Sequence, residues 1–244
     1  MKILSIGNSY SQDSQKWLHQ LAQAHQIDLK TVNLCIGGCS LETHWHEYEY
    51  NNENYDLEIN GSASTRKISL SEALKSDSYD IITLQQASRF SGISHTYYPY
   101  IVNLADVIRK LQPQAKLMFI QTWAYEIDGL DGFVLDWFDY YHKNQGEMYR
   151  RICDASVLAG KLINAQVIPV GQIIQTLRTE VKEFDYAHDG ISLCRDGFHL
   201  TLDYGRFAAA ATMFRAITGK LVETTQFENF DENLIRKIIS VVNS

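Results

Sequence analysis

Short apolar runs of strand length alternate along this chain with stretches whose apolar residues return every three or four positions. Parallel strands need long crossovers, usually helical, so the alternation points to a parallel sheet covered on both faces. The strand-like runs are 3–6, 29–36, 80–86, 116–121 and 166–170. Helical spacing is carried by Trp17, Leu21 and Ala24 with Leu18 and Ala22 beside them. It returns at Ile101, Leu104, Ile108 and Leu111 before Pro113, and at Met148, Ile152, Ala155, Ala159 and Leu162. Further helices are expected at 69–75, 173–179, 204–214 and 234–239. The expected architecture is α/β: one doubly wound, flavodoxin-like, three-layer domain over 1–244 with a central five-stranded parallel sheet. Two stretches break the pattern and are expected as active-site loops. Residues 42–66 are rich in Tyr, Glu and Asn; residues 126–146 open on an acidic, aromatic segment, 126–144, expected as a long loop or lid.

Charge and composition remove several classes of function. A formal net charge of -7 and the absence of any Lys/Arg run argue against a nucleic-acid partner. No run approaches the ~20 apolar residues of a membrane span. The first strand starts at Lys2, which leaves no room for a secretory leader. The expected compartment is therefore cytoplasmic, or exported if a leader was trimmed. The four cysteines, Cys35, Cys39, Cys153 and Cys194, are too few and scattered for a disulfide framework and read as free, buried thiols.

The chemistry-bearing stretch is the end of the first strand, Gly7-Asn8-Ser9-Tyr10-Ser11. Gly-Asn permits a sharp turn, and Ser9 then stands where a parallel strand hands over to a helix. Open α/β folds build their sites at that edge of the sheet, and helix N–H groups there favour developing negative charge. Gly37-Gly38, Gln85-Gln86 and Trp123 end other strands and point to the same edge. Far along the chain, Asp196-Gly197-Phe198-His199 precedes a helix. Asp and His three apart in a turn can lie side by side, leaving the second ring nitrogen to accept a proton from a serine. Glu42, His44, His46 and Glu47 place two histidines among carboxylates, but without a third ligand at a recognisable spacing no metal is expected. His188-Asp189 is a weaker Asp–His pair. Trp45, Trp123, Tyr125 and the run Trp137-Phe138-Asp139-Tyr140-Tyr141 are candidates to line a cleft, with core packing the competing role.

In block order the chain resembles the SGNH/GDSL hydrolase superfamily, and within it a DUF4886-like, SGNH-hydrolase-type domain of unknown function. Gly7-Asn8-Ser9 stands where that family carries its nucleophile, and Asp196-x-x-His199 matches its Asp-x-x-His block. The resemblance implies a catalytic set of Ser9, Asp196 and His199. It also implies an oxyanion hole from the Ser9 and Gly38 N–H groups and a side-chain carboxamide. The third block departs from the usual Gly-x-Asn-Asp: the sequence reads Leu84-Gln85-Gln86-Ala87-Ser88. Gln86 is expected to supply the carboxamide, with Gln85 as the fallback, since the two point to opposite faces of a strand. The resemblance further implies two-step hydrolysis of a short acyl ester without cofactor or metal. The expected substrate is a small molecule or glycan ester, most readily an O-acetylated carbohydrate, with Trp123, Tyr125 and Trp45 as substrate contacts. A lipase or thioesterase, or a lapsed hydrolase that binds carbohydrate, are the alternatives. The oligomeric state is left open.

Overall fold

In a computed structural model, which describes residues 1–127, 130 and 132–244, the chain folds around one seven-stranded sheet. In chain order the elements are β1 (Lys2–Gly7), α1 (Ser9–Gln15), α2 (Leu18–Ala24), β2 (Lys30–Cys35), α3 (Leu41–Glu49), β3 (Tyr55–Ile59) and β4 (Ser62–Ile68). There follow α4 (Leu70–Ser76), β5 (Ile81–Leu84), α5 (Tyr100–Leu111), β6 (Lys116–Ile120), α6 (Gly132–Phe138) and α7 (Gln145–Leu162). The chain closes with β7 (Gln166–Ile168), α8 (Val170–Glu180), α9 (Tyr204–Thr218) and α10 (Glu232–Asn243). The sheet order is β4-β3-β2-β1-β5-β6-β7. The five expected strands are the parallel ones, and in their own order they run 2-1-3-4-5, the flavodoxin-like winding. The order reverses between β1 and β5, and that switch point puts the carboxyl end of β1 at the natural crevice.

The sheet has seven strands rather than five because β3 and β4 add an antiparallel pair beyond β2. All but the last two residues of this pair lie within 42–66, the stretch expected as a loop, whose first part is α3. The hairpin turns on Asn60-Gly61, both with positive φ, as a tight two-residue connection requires. Of the segment 126–144, Asp128, Gly129 and Asp131 lie outside the described residues. Its remainder carries α6 and the short 3-10 turn Asp139–Tyr141.

Period-two alternation sorts the strands between two cores. Leu4 and Ile6 of β1, Ile82 and Leu84 of β5, and Leu117 and Phe119 of β6 face α3, α4, α5 and the later turns of α7. Ile3, Ile81, Met118 and Ile120 face the opposite layer of α2, α8, α9 and α10. α1 joins that second layer differently. Its sequence is polar, yet Tyr10, Ser11, Asp13, Ser14 and Gln15 are all buried. The sheet beneath it is polar as well. Ser11 Oγ donates to Asn33 Oδ1 (2.7 Å), Gln15 donates to Ser5, and Ser5 Oγ bonds Thr83 Oγ1 (2.6 Å). Buried polar groups persist when paired in this way, and the network fixes where Ser9, the first residue of α1, must stand.

Candidate active site

Ser9 leaves β1 through a turn that tolerates little variation. A Cβ on Gly7 would come within 2.5 Å of Ser11 Oγ and 3.1 Å of Gln85 Cδ. Asn8, in extended conformation, caps α1 by accepting from the Tyr10 N–H (3.0 Å). Its carboxamide also ties three strand ends together. Nδ2 donates to the Cys39 carbonyl after β2 (2.9 Å), and Oδ1 accepts from Gln85 Nε2 after β5 (2.7 Å). The turn beyond β2 closes through Cys39 N–H to Ile36 O (3.1 Å) with Gly38 at φ +64°, a conformation that favours glycine. Asn8 thus holds the Ser9 turn against the Gly37-Gly38 turn.

The loop before α9 brings its own pair to the serine. His199 Nε2 lies 2.9 Å from Ser9 Oγ, and His199 Nδ1 lies 2.7 Å from Asp196 Oδ2. The other Asp196 oxygen accepts from the backbone N–H groups of His199 (2.7 Å) and Phe198 (3.2 Å), so the carboxylate is fixed by its own loop. Partial burial acts to raise the Asp196 pKa, but the hydrogen bonds from the His199 side chain and backbone outweigh it and hold the carboxyl below its ordinary value. An imidazole placed between a carboxylate and a hydroxyl can accept the hydroxyl proton while keeping the other ring nitrogen protonated.

Residues that sequence reasoning missed hold this loop in place. Asp13 of α1 is fully buried and accepts from Arg206 Nε (2.8 Å), Arg195 Nη1 (3.2 Å) and the Leu200 N–H (2.9 Å). It therefore clamps the helix of Ser9 to the loop of His199. The available signal was a lone Asp inside a Ser/Gln helix and an Arg directly before Asp196, neither informative until the two ends of the chain meet. From the β6 side, the Glu126 N–H donates to Gly197 O (2.7 Å). Burial pushes the Glu126 carboxyl up, against the opposing pull of Arg178.

Trp123 and Tyr125 are fully buried and offer no face to a substrate. Trp123 stacks on Tyr10 (centroids 4.0 Å, planes 9° apart) and its Nε1 donates to Phe198 O (2.7 Å), so it buttresses both the serine helix and the histidine loop. The Tyr125 hydroxyl bonds Ser88 Oγ (2.9 Å). Trp45, half-buried, packs on Tyr48 of α3 at the border of the core beyond the sheet. Trp123 and Tyr125 are thus structural, because their rings pack beneath the serine turn and the histidine loop instead of facing the crevice.

Gln86 does not reach the serine. Its Nε2 is turned to the carbonyl (3.2 Å) and hydroxyl (3.1 Å) of Thr96, and its Oε1 accepts from the N–H groups of Leu41 (3.0 Å) and Ala87 (2.8 Å). The pleat sends it to the α3 side, where it satisfies one of the N-terminal donors of that helix. Gln85 is the one beside the serine turn, and its amide is spent on Asn8. The His44–His46 pair separates on α3: His44 is buried, its Nδ1 bonded to Tyr55 OH (2.8 Å) and its pKa lowered to about 3 by that burial, while His46 pairs with Glu49 at the surface. His188 pairs with Asp185 away from the serine. Among the described residues no group of three or more His, Cys, Asp or Glu is placed to hold a metal ion, and no helix is long and apolar enough to cross a membrane.

Comparison with known proteins follows the same geometry. The model of a family described as "Domain of unknown function (DUF4886)" matches residues 2–237. A crystal structure of a DUF4886 family protein from Bacteroides uniformis is 34% identical, with a TM-score of 0.89 over 99% of this chain and 93% of that one. A proposed SGNH hydrolase from Slackia heliotrinireducens shares the fold at 18% identity and TM-score 0.61, covering 89% of this chain and 98% of its own. The acetyl xylan esterase AlAXEase does so at 17% identity and TM-score 0.54, covering 89% and 100%. No curated protein matches the chain.

Proposed function

The chain belongs to the DUF4886 family, and from its site we propose that it is a serine esterase that removes short acyl groups, with O-acetylated carbohydrate as the favoured substrate class. The observation that carries the reading is the continuous line Asp196–His199–Ser9, with contacts of 2.7 and 2.9 Å, at the switch point of an SGNH-type sheet. Ser9 Oγ attacks the ester carbonyl carbon as His199 Nε2 takes its proton, while Asp196 keeps Nδ1 protonated and the ring oriented. The negative oxygen of the tetrahedral intermediate is received by the Ser9 and Gly38 N–H groups. His199 then protonates the leaving alcohol, and water repeats the path to free the acid. Losing one oxyanion-hole donor typically costs roughly 3 kcal/mol of transition-state stabilisation.

The likeness in fold to an acetyl xylan esterase supports the acetyl and carbohydrate parts of the proposal. The test is hydrolysis of 4-nitrophenyl acetate, butyrate and octanoate by wild type and Ser9→Ala. Acetate turnover should exceed octanoate turnover and should fall by at least about 10³-fold in the variant. Preference for octanoate would favour a lipase or thioesterase, and turnover that survives Ser9→Ala would overturn the serine mechanism.

A further inference from the structure

The turn that follows β5 carries a guanidinium that, among the described residues, has no carboxylate to neutralise it. Arg89 lies in the 3-10 turn Ser88–Phe90. Its carbonyl accepts from the buried Tyr141 hydroxyl (2.9 Å), which in turn accepts from the Gly92 N–H (3.0 Å), so the turn is pinned from both ends. The side chain is held as firmly. Its guanidinium sits over the rings of Phe90 and Trp137, 4.5 and 4.8 Å from their centroids, and Nη1 donates to the Gly38 carbonyl (3.0 Å).

A guanidinium has five N–H donors, and among the described residues only the Gly38 carbonyl accepts from it. Arg66, Arg150, Arg151, Arg178, Arg195, Arg206 and Arg236 each face an Asp or Glu. Among the described residues no carboxylate lies within ion-pair distance of Arg89, as of Arg109 and Arg215, and of these three Arg89 is the one bonded to the Gly38 turn beside Ser9. The position is telling as well. Gly38 is exposed, its N–H is one of the two proposed oxyanion donors, and Arg89 holds the carbonyl of the same residue. The charge is therefore held at the same residue that offers the proposed oxyanion donor, bonded to its carbonyl at 3.0 Å. In a chain of net charge -7 this cation counters the repulsion an anion would otherwise meet at the site.

Resting on the esterase reading above, we propose that Arg89 is an anion subsite, so that the natural substrate is an ester carrying a carboxylate or equivalent negative group near the scissile bond. The planar fork suits a carboxylate bidentately. Because the two rings and Gly38 already fix its orientation, little side-chain freedom remains to be lost on binding.

The experiment compares kcat/KM on four esters for wild type, Arg89→Gln and Arg89→Glu. They are 4-nitrophenyl acetate (neutral), 3-acetoxybenzoate (anionic alcohol side), 4-nitrophenyl hydrogen succinate (anionic acyl side) and acetylthiocholine (cationic). Arg89→Gln should lose roughly tenfold more on one of the anionic esters than on the neutral one, as expected for loss of a charge-assisted contact. Arg89→Glu should lose more still and shift relative preference toward the cation. A parallel fall on all four esters would mean a structural role and overturn the proposal. Arg89→Lys, which keeps charge but not the stacked fork, should retain part of the anion preference; if the Gln variant fails to fold, this one decides. Absence of Ser9-dependent turnover on the neutral ester would remove the esterase reading and this inference with it. Neutral turnover with unchanged charge ratios would remove the Arg89 subsite alone.

Discussion

The serine turn and the histidine loop meet within 2.9 Å, yet they are built by opposite means. Ser9 is placed by regular structure: the central strand β1, the cap of α1, and an Asn8 carboxamide bonded to its immediate neighbours in the sheet. Asp196 and His199 sit in an irregular loop, and what fixes that loop comes from far away in sequence. Asp13 reaches it from α1, the Trp123 ring from the end of β6, and the Glu126 N–H from just beyond. A site made this way should tolerate damage differently on its two sides. The serine side should fail by crowding, where there is no room to move. The histidine side should fail by loss of long-range anchors.

The largest effect is expected at the strongest anchor. Asp13→Ala leaves Arg206 and Arg195 without their shared carboxylate and the Leu200 N–H without an acceptor. Removing one partner from a buried ionic cluster costs about 3–5 kcal/mol. Equilibrium denaturation should show a loss of that order, together with reduced esterase turnover at temperatures where the variant is still folded. A loss below about 1 kcal/mol, with unchanged kcat, would mean that the histidine loop stands without its clamp.

On the serine side the matching probe is Gly7→Ala. The new Cβ would fall 2.5 Å from Ser11 Oγ and 2.8 Å from Ser11 Cβ. Ser11 cannot swing aside freely, because its hydroxyl is committed to Asn8 O and Asn33 Oδ1, both at 2.7 Å. Overpacking of this kind costs roughly 1–3 kcal/mol. The comparison sharpens if Gly7→Ala lowers kcat more than its modest loss of stability explains, since the displaced atoms are those that aim Ser9. Equal stability and turnover to wild type would show that the turn is not tight.

The same contrast explains what could be read before the fold was known. The parallel strands, the serine turn and the Asp196–His199 pair are local patterns, and periodicity or spacing reports them directly. Asn60-Gly61 was also a local signal, a hairpin dipeptide, but Ser62 to Lys67 are exposed and carry no apolar alternation to announce a strand. The role of Gln86 was legible only in part. That Gln85 and Gln86 face opposite ways follows from the pleat, but which of them meets the serine depends on where the N-terminus of α3 lies, and sequence spacing does not carry that. Trp123 and Tyr125 looked like cleft aromatics because composition cannot separate a ring facing a crevice from one beneath it. Asp13 and Arg89 acquire meaning only through partners at positions 195–206, 38 and 137, which no local window contains.

The smallest effect on stability is expected at Asp196, and it is one that pH can isolate. Asp196→Asn keeps an oxygen able to accept from the His199 and Phe198 N–H groups, so the loop should hold its shape. The carboxylate contact with His199 Nδ1 is what is lost, and with it the ring tautomer that Ser9 requires; in serine hydrolases such a change lowers kcat by about 10⁴-fold. Stability should change little and in a defined direction. The folded state holds the Asp196 carboxyl below its ordinary value, so its contribution is complete above the unfolded Asp pKa of about 3.9. That contribution is lost as pH falls through the depressed folded value. The difference in melting temperature between wild type and Asp196→Asn should therefore be largest near neutrality and close as pH falls below the unfolded Asp pKa of about 3.9. A difference that is constant across that window would show that the Asp196 carboxylate gains nothing from its partners in the folded loop, and the histidine side would then depend on Asp13, Trp123 and the Glu126 N–H.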